Sequence, residues 1–184
     1  AFQLGLDDEL KFRINTKTYP EIIFDIFGLK WKRNPYYVKL PDTVYTHAIE
    51  LKKKWNLYKQ IVIGMNTGSG FRFATKQWTI EGFVELAILI QNNYGKATQI
   101  LLLGGPEEKA RNQEIAKKCK QKKISIIDTG CDNSLLDFCS IIETCDVLIT
   151  GDTLAMHLAI ALEKQVIALF GSTCAQEIEL YGRG

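Results

Sequence analysis

Five short stretches hold the residue types that handle phosphate: Asn66-Thr67-Gly68-Ser69-Gly70, Gly104-Gly105-Pro106, Asp128-Thr129-Gly130, Gly151-Asp152-Thr153 and Gly171-Ser172-Thr173. Each contains glycine, and all but the second carry a hydroxyl. Small residues let backbone amides approach a ligand closely, and helix N-termini attract anions. Any one of these stretches reads as a tight strand-to-helix turn. The five together point to a pocket for a phosphorylated ligand.

Lys76-Gln77-Trp78 follows the first stretch. Its lysine reads either as a mobile positive charge able to neutralise a diphosphate, with little weight in folding, or as an exposed lysine beside a packing tryptophan. The fourth stretch runs on to His157. Asp152 or Thr153 can cap a helix there, leaving free amides in its first turn, and His157 one turn later can share the pocket. Taken singly, the aspartate reads as a cap and the histidine as structural. Two familiar nucleotide folds lose support. Gly68-Ser69-Gly70 opens like a dinucleotide fingerprint, but Phe73 stands where the third glycine belongs, and no Gly-Lys-Ser/Thr closes a phosphate loop.

The elements that position these residues follow from patterning. Five apolar runs read as buried strands: 61–65, 99–103, 124–127, 147–149 and 166–170. Helical patterns alternate with them. Phe83, Leu86, Ala87 and Ile90 form one stripe, and residues 107–120 form a helix acidic at its start and basic at its end. Ser134 with Asp137 offers a capping box to a third helix carrying Leu136, Cys139 and Ile142, and a fourth starts near Thr153. Such alternation predicts an α/β fold, a Rossmann-like doubly wound parallel sheet of about five strands. In that fold ligands bind at the carboxyl ends of the strands, which is where all five glycine stretches fall. Residues 1–58 read as a connecting region with short helices, and residues 59–184 as the Rossmann-like domain. Within the former, residues 12–15 are expected to be extended. Residues 20–27 form a helix stopped by Gly28, and Asp42 caps a longer helix carrying Val44, Ala48, Leu51 and Trp55.

Composition limits the alternatives. The 184 residues are 46% hydrophobic and 24% charged, the balance of a globular protein rather than a disordered or fibrous one. Net charge is +2, so no global field calls for nucleic acid. No apolar run is long enough for a membrane span, and the opening residues lack signal-peptide character. Five cysteines and two histidines show no metal-binding spacing. The expectation is a cytoplasmic protein, or one peripheral at the inner membrane, with reduced cysteines acting as small core hydrophobes.

The motifs, in their order, resemble those of a known family. Asn66 to Gly70, Lys76-Gln77-Trp78, Leu103-Gly104-Gly105-Pro106-Glu107-Glu108, Asn133-Ser134-Leu135, Gly151-Asp152-Thr153 through His157, and Leu169-Phe170-Gly171-Ser172-Thr173 are similar to the donor-binding half of the heptosyltransferases, the lipopolysaccharide glycosyltransferases of family 9. The resemblance implies the C-terminal half of a GT-B fold. It implies transfer of a heptose from an ADP-sugar to a lipopolysaccharide core acceptor at the inner membrane surface, with inversion, no cofactor and no essential metal. Lys76 would meet the diphosphate with Thr67 and Ser69 nearby, Glu108 the ribose, and Asn133 the base. Asp152, Thr153 and His157 would surround the diphosphate and sugar. The family's general base lies in a first domain that this chain lacks, so the resemblance implies a fragment that needs that partner domain. The family's Gly-Pro after Asp-Thr is Leu154-Ala155 here, which alters the sugar contact. A non-catalytic nucleotide-binding half-domain and a nucleotide-sugar epimerase of similar architecture are the rival readings.

Overall fold

The computed structural model describes residues 3–70 and 75–184; Ala1-Phe2 and the segment containing Phe73 lie outside the described residues. Five parallel strands form one sheet: β1 (Ile61–Asn66), β2 (Thr98–Leu103), β3 (Ile126–Asp128), β4 (Val147–Gly151) and β5 (Gln165–Leu169). Their spatial order is β3-β2-β1-β4-β5. The order reverses between β1 and β4, and that junction is where an open α/β sheet leaves a crevice.

Strand side chains alternate between two cores. Val62, Leu101, Leu103, Leu148 and Val166 point to one face, and Met65, Ile100, Leu102 and Ile149 to the other. The second face is covered by α3 (Ile80–Tyr94) and α4 (Lys109–Gln121), through Phe83, Val84, Ala87, Ile90, Ile115 and Cys119. The first is covered by α5 (Leu135–Thr144) and α6 (Leu154–Ala161), through Ile141, Ile142, Ala155, Met156 and Ala159. Burying both faces is what requires continuous apolar strands. Among the described residues no helix is long and apolar enough to cross a membrane.

Before the sheet, α1 (Tyr19–Ile26) begins with a proline in its first turn and ends at Gly28, whose φ of 65° suits a residue without a β-carbon. Helix α2 (Asp42–Lys54) packs on α5, with Val44, Ala48 and Leu51 buried. Asp42 is the first helical residue and makes no side-chain cap; Pro41 occupies the cap position. The stretch around residue 12 is helical, not extended, over Leu10–Ile14. Asp7 Oδ1 accepts from the Leu10 amide at 2.9 Å, and Glu9 pairs with Arg13 one turn on at 3.1 Å. These local bonds outweigh a weak alternating pattern. Leu136, expected to face inward, is exposed, while Cys139 and Ile142 are buried as the periodicity requires. All five cysteines are buried and free.

Candidate functional site

Three of the five glycine stretches, the first, second and fourth, line a cavity of about 430 Å³ at the carboxyl edge, astride β1 and β4. Asn66 ends β1 and ties the two strands together. Its Nδ2 donates to Thr150 Oγ1 on β4 at 3.1 Å and to the Gly68 carbonyl at 3.3 Å. Gly68 must lack a side chain because a β-carbon there would lie 2.2 Å from the Glu108 carboxyl carbon. Glu108 is buried behind it. Its Oε2 accepts from the Gly105 amide at 3.0 Å and its Oε1 from the Gly70 amide at 3.4 Å. One carboxylate therefore organises the loops after both β1 and β2, and it also lines the cavity.

The polar wall is an ion pair. Lys76 Nζ lies 2.6 Å from Asp152 Oδ2, with both side chains largely buried. The Thr173 hydroxyl donates to the same oxygen at 3.0 Å, and His157 Nε2 lies 3.9 Å from Oδ1. Burial pushes the Asp152 carboxyl up. Hydrogen bonds from Lys76 and Thr173, with the positive charge of Lys76, outweigh it and hold the group below its ordinary value. The fifth glycine stretch thus buttresses the wall without lining the cavity. The expected cap is absent: Thr153 occupies the cap position of α6 but no side chain caps the helix. Asp152 is committed to Lys76 and Thr173, and Thr153 Oγ1 to Thr150 Oγ1 at 3.1 Å. The first turn of α6 thereby keeps uncapped amides beside the cavity.

The opposite wall is apolar, formed by Leu135 and Phe138 of α5 and Leu154 of α6. Leu135 and Leu154 are more than half exposed; Leu154 was read from the sequence as a change in the sugar contact, whereas Leu135 and Phe138 were not singled out as site residues. The visible signal was leucine at the first helical position of two helices on the binding edge. Asn133 lines the cavity and is oriented by donating to the Gly130 carbonyl at 3.0 Å.

Of the residues expected at the site, Ser69, Lys76, Glu108, Asn133, Asp152 and Thr153 line one cavity. Thr67 does not: it is buried, and its hydroxyl is bonded to Asn112 behind the loop. His157 does not either. It touches Asp152 from outside, while its Nδ1 lies 2.9 Å from the Tyr36 hydroxyl. Lys76 is not a free cation but an anchored one.

Comparison with known proteins accounts for this architecture. The model of glycosyltransferase family 9 (heptosyltransferase) matches residues 17–184. A lipooligosaccharide heptosyltransferase 2 from Campylobacter jejuni is 26% identical over 148 residues, covering 75% of this chain and 45% of the relative. The chain thus spans less than half the length of the curated relatives it matches. A family 9 glycosyltransferase from Veillonella parvula superposes with a TM-score of 0.69 at 21% identity, covering 86% of this chain and 45% of the other. An Escherichia coli heptosyltransferase solved with ADP gives 0.58 at 18% identity, covering 86% and 44%. These likenesses match the Rossmann-like sheet to half of a GT-B fold. With the family match spanning both the sheet and the segment that precedes it, the chain belongs to glycosyltransferase family 9.

Proposed function

We propose that the chain is the donor-binding half of a glycosyltransferase that moves a heptose, or a related sugar, from an ADP-sugar to a lipopolysaccharide core acceptor at the inner membrane surface, with inversion. The observation that carries this reading is the cavity's division into a charged wall and an apolar wall across the sheet's switch point. A nucleoside diphosphate has the same division. Leu135, Phe138 and Asn133 suit the base, and Glu108 can accept from ribose hydroxyls. Lys76 and the first-turn amides of α6 suit the diphosphate, and Asp152 and Thr153 suit the sugar beyond it.

The chemistry fits these groups. As the bond from the anomeric carbon to the diphosphate breaks, negative charge grows on the departing phosphate. A lysine held in place by Asp152 needs little reorganisation to stabilise that charge. In this reading Lys76 and the amides serve the phosphate without an essential metal, and His157 acts through Asp152. The general base, the acceptor surface and the inversion belong to the other half of the GT-B fold.

The test is transfer by the full-length protein from ADP-heptose to a lipopolysaccharide core acceptor, beside calorimetry with ADP and ADP-heptose. Transfer with inversion supports the proposal. Nucleotide-sugar conversion without acceptor supports an epimerase, and binding without either supports a half-domain that only holds the nucleotide.

A further inference from the structure

The two oxygens of Asp152 face different partners. Oδ2 takes Lys76 and the Thr173 hydroxyl, while Oδ1 faces His157 Nε2 at 3.9 Å. His157 sits early in α6 with half its side chain exposed, so packing on its own helix does not hold the ring. What holds it comes from the other end of the chain. Residues 29–36 form a strap that crosses the surface between α1 and α2 without regular secondary structure, and the Tyr36 hydroxyl at its end lies 2.9 Å from His157 Nδ1. The strap is fixed at two points. Arg33 Nε and Nη2 donate to the two carboxylate oxygens of Glu179 at 3.1 and 3.0 Å, and the Glu179 side chain is buried. Tyr36 packs edge-on against Tyr181, with ring centroids 5.3 Å apart. Arg33 and Tyr181 both hold left-handed backbone, with φ of 56° and 52°, a conformation that persists in such residues only where surrounding contacts enforce it.

The hydrogen-bonding roles follow from chemistry. An ionised carboxylate only accepts, so the imidazole nitrogen facing Asp152 carries a proton. In the neutral ring the other nitrogen is then an acceptor, and Tyr36 must donate to it. Burial, with Tyr181 beside it, pushes the Tyr36 hydroxyl up to about 12, so it keeps its proton near neutral pH.

We propose that Tyr36 is a positioning residue of the donor site: its hydroxyl donates to His157 Nδ1, fixes the imidazole as the Nε2–H tautomer, and aims that N–H at Asp152 Oδ1. The proposal rests on the donor reading, in which a diphosphate draws on Lys76. As the ammonium turns toward phosphate, Asp152 loses part of its counter-charge in a site where water replaces it only in part. An N–H already aimed at the other oxygen offsets that loss, closing from 3.9 Å toward hydrogen-bond distance. A ring free to rotate or to move its proton would have to be ordered at the moment of binding, at a cost in affinity.

The chain has two histidines, so long-range proton–nitrogen NMR of the histidine-labelled protein resolves each ring, with His157→Gln assigning the signals. Under mildly alkaline conditions, where imidazole is neutral, His157 should show a protonated Nε2 and an Nδ1 with the shift of a hydrogen-bonded acceptor. Tyr36→Phe keeps the ring on Tyr181 and should lose that Nδ1 shift, with Tm unchanged within about 2 °C. Its ADP affinity, by calorimetry, should fall about threefold. The same substitution in a His157→Gln background should have no effect on ADP affinity, and Tyr181→Phe, which keeps the edge-on ring, should have none in the wild type. A proton on Nδ1, or an Nδ1 signal that Tyr36→Phe leaves in place, overturns the proposal. So does an ADP affinity that Tyr36→Phe leaves unchanged, or lowers equally when His157 is gone, since the tyrosine then only packs. The expected spectra beside no ADP binding by the wild type support the orientation of His157 and remove the donor reading. Normal ADP binding beside contrary spectra overturns the proposal and leaves the donor reading standing.

Discussion

Replacing Lys76 with alanine strips the Asp152 carboxylate of its 2.6 Å charge-assisted bond. What remains is the Thr173 hydroxyl at 3.0 Å and His157 at 3.9 Å. The Asp152 side chain is 14% exposed, so water replaces the lost ammonium only in part. Exposed pairs contribute up to about 1 kcal/mol, and orphaning a fully buried charge costs about 3–5 kcal/mol. Lys76→Ala lies between these, at about 1–2 kcal/mol of stability. In a chain of 184 residues each kcal/mol lowers Tm by about 2–4 °C. Nucleoside diphosphate affinity should fall by about 1–3 kcal/mol, because the proposed function makes the same ammonium the phosphate's partner. Asp152→Asn should behave differently. It removes the anion that competes with diphosphate for Lys76, so ADP affinity should hold or rise while stability drops. The assay is a double-mutant cycle, read by thermal melting and by calorimetry with ADP. A coupling of about 1 kcal/mol between the two sites is expected. If Lys76→Ala melts like the wild type and the two substitutions simply add, the ion pair carries no weight and the argument for an anchored cation collapses.

Further outcomes follow from the same geometry. The stability that Asp152 contributes should be complete above its ordinary pKa of 3.8 and disappear as pH falls through its lowered folded value. Melting curves of wild type and Asp152→Asn should therefore converge only in strong acid, and convergence near neutrality would contradict the assignment. Gly68→Ala should push the Glu108 carboxylate off the Gly105 amide and cost about 1–2 kcal/mol of nucleotide affinity by calorimetry; normal affinity would remove Glu108 from the site. Leu135→Ser and Leu154→Ser should change stability by no more than about 0.5 kcal/mol, since both leucines are exposed, yet weaken ADP binding. A binding isotherm equal to wild type would refute the apolar wall. The five buried thiols should resist a thiol reagent in the folded protein, most of all Cys145, which burial pushes up to about 12. All five should react once the chain is denatured, and fewer would mean a disulfide.

The strands were legible because a sheet covered on both faces demands unbroken apolar runs, and few other structures do. Ser134 was legible as a helix start because a side-chain cap is a local device: it accepts from the Asp137 amide at 3.2 Å. What escaped depends on groups far apart in the chain. Asp152 has the same local credentials as a cap, but Lys76 lies 76 residues away in sequence and wins the carboxylate. His157 sits one helical turn from the cavity edge, and only Tyr36, brought in by the amino-terminal strap, shows which way its ring is held. Leu135 and Phe138 escaped for a different reason: an apolar side chain in the first turn of a helix reads as core until its surroundings are known.

The Glu108 carboxylate has one further consequence. Both oxygens are occupied by backbone amides from separate loops, and each oxygen retains a second lone pair. The acceptor is therefore set in direction before any ligand arrives, and its orientation entropy is already spent in folding. Two fixed lone pairs on one carboxylate match a vicinal diol. A nucleotide lacking one of those hydroxyls would leave a desolvated acceptor without a donor, a penalty of about 1–3 kcal/mol. With Glu108 meeting the ribose as proposed, a ribose-over-deoxyribose preference would arise from the shape of the loop itself, with no residue needing to move on recognition.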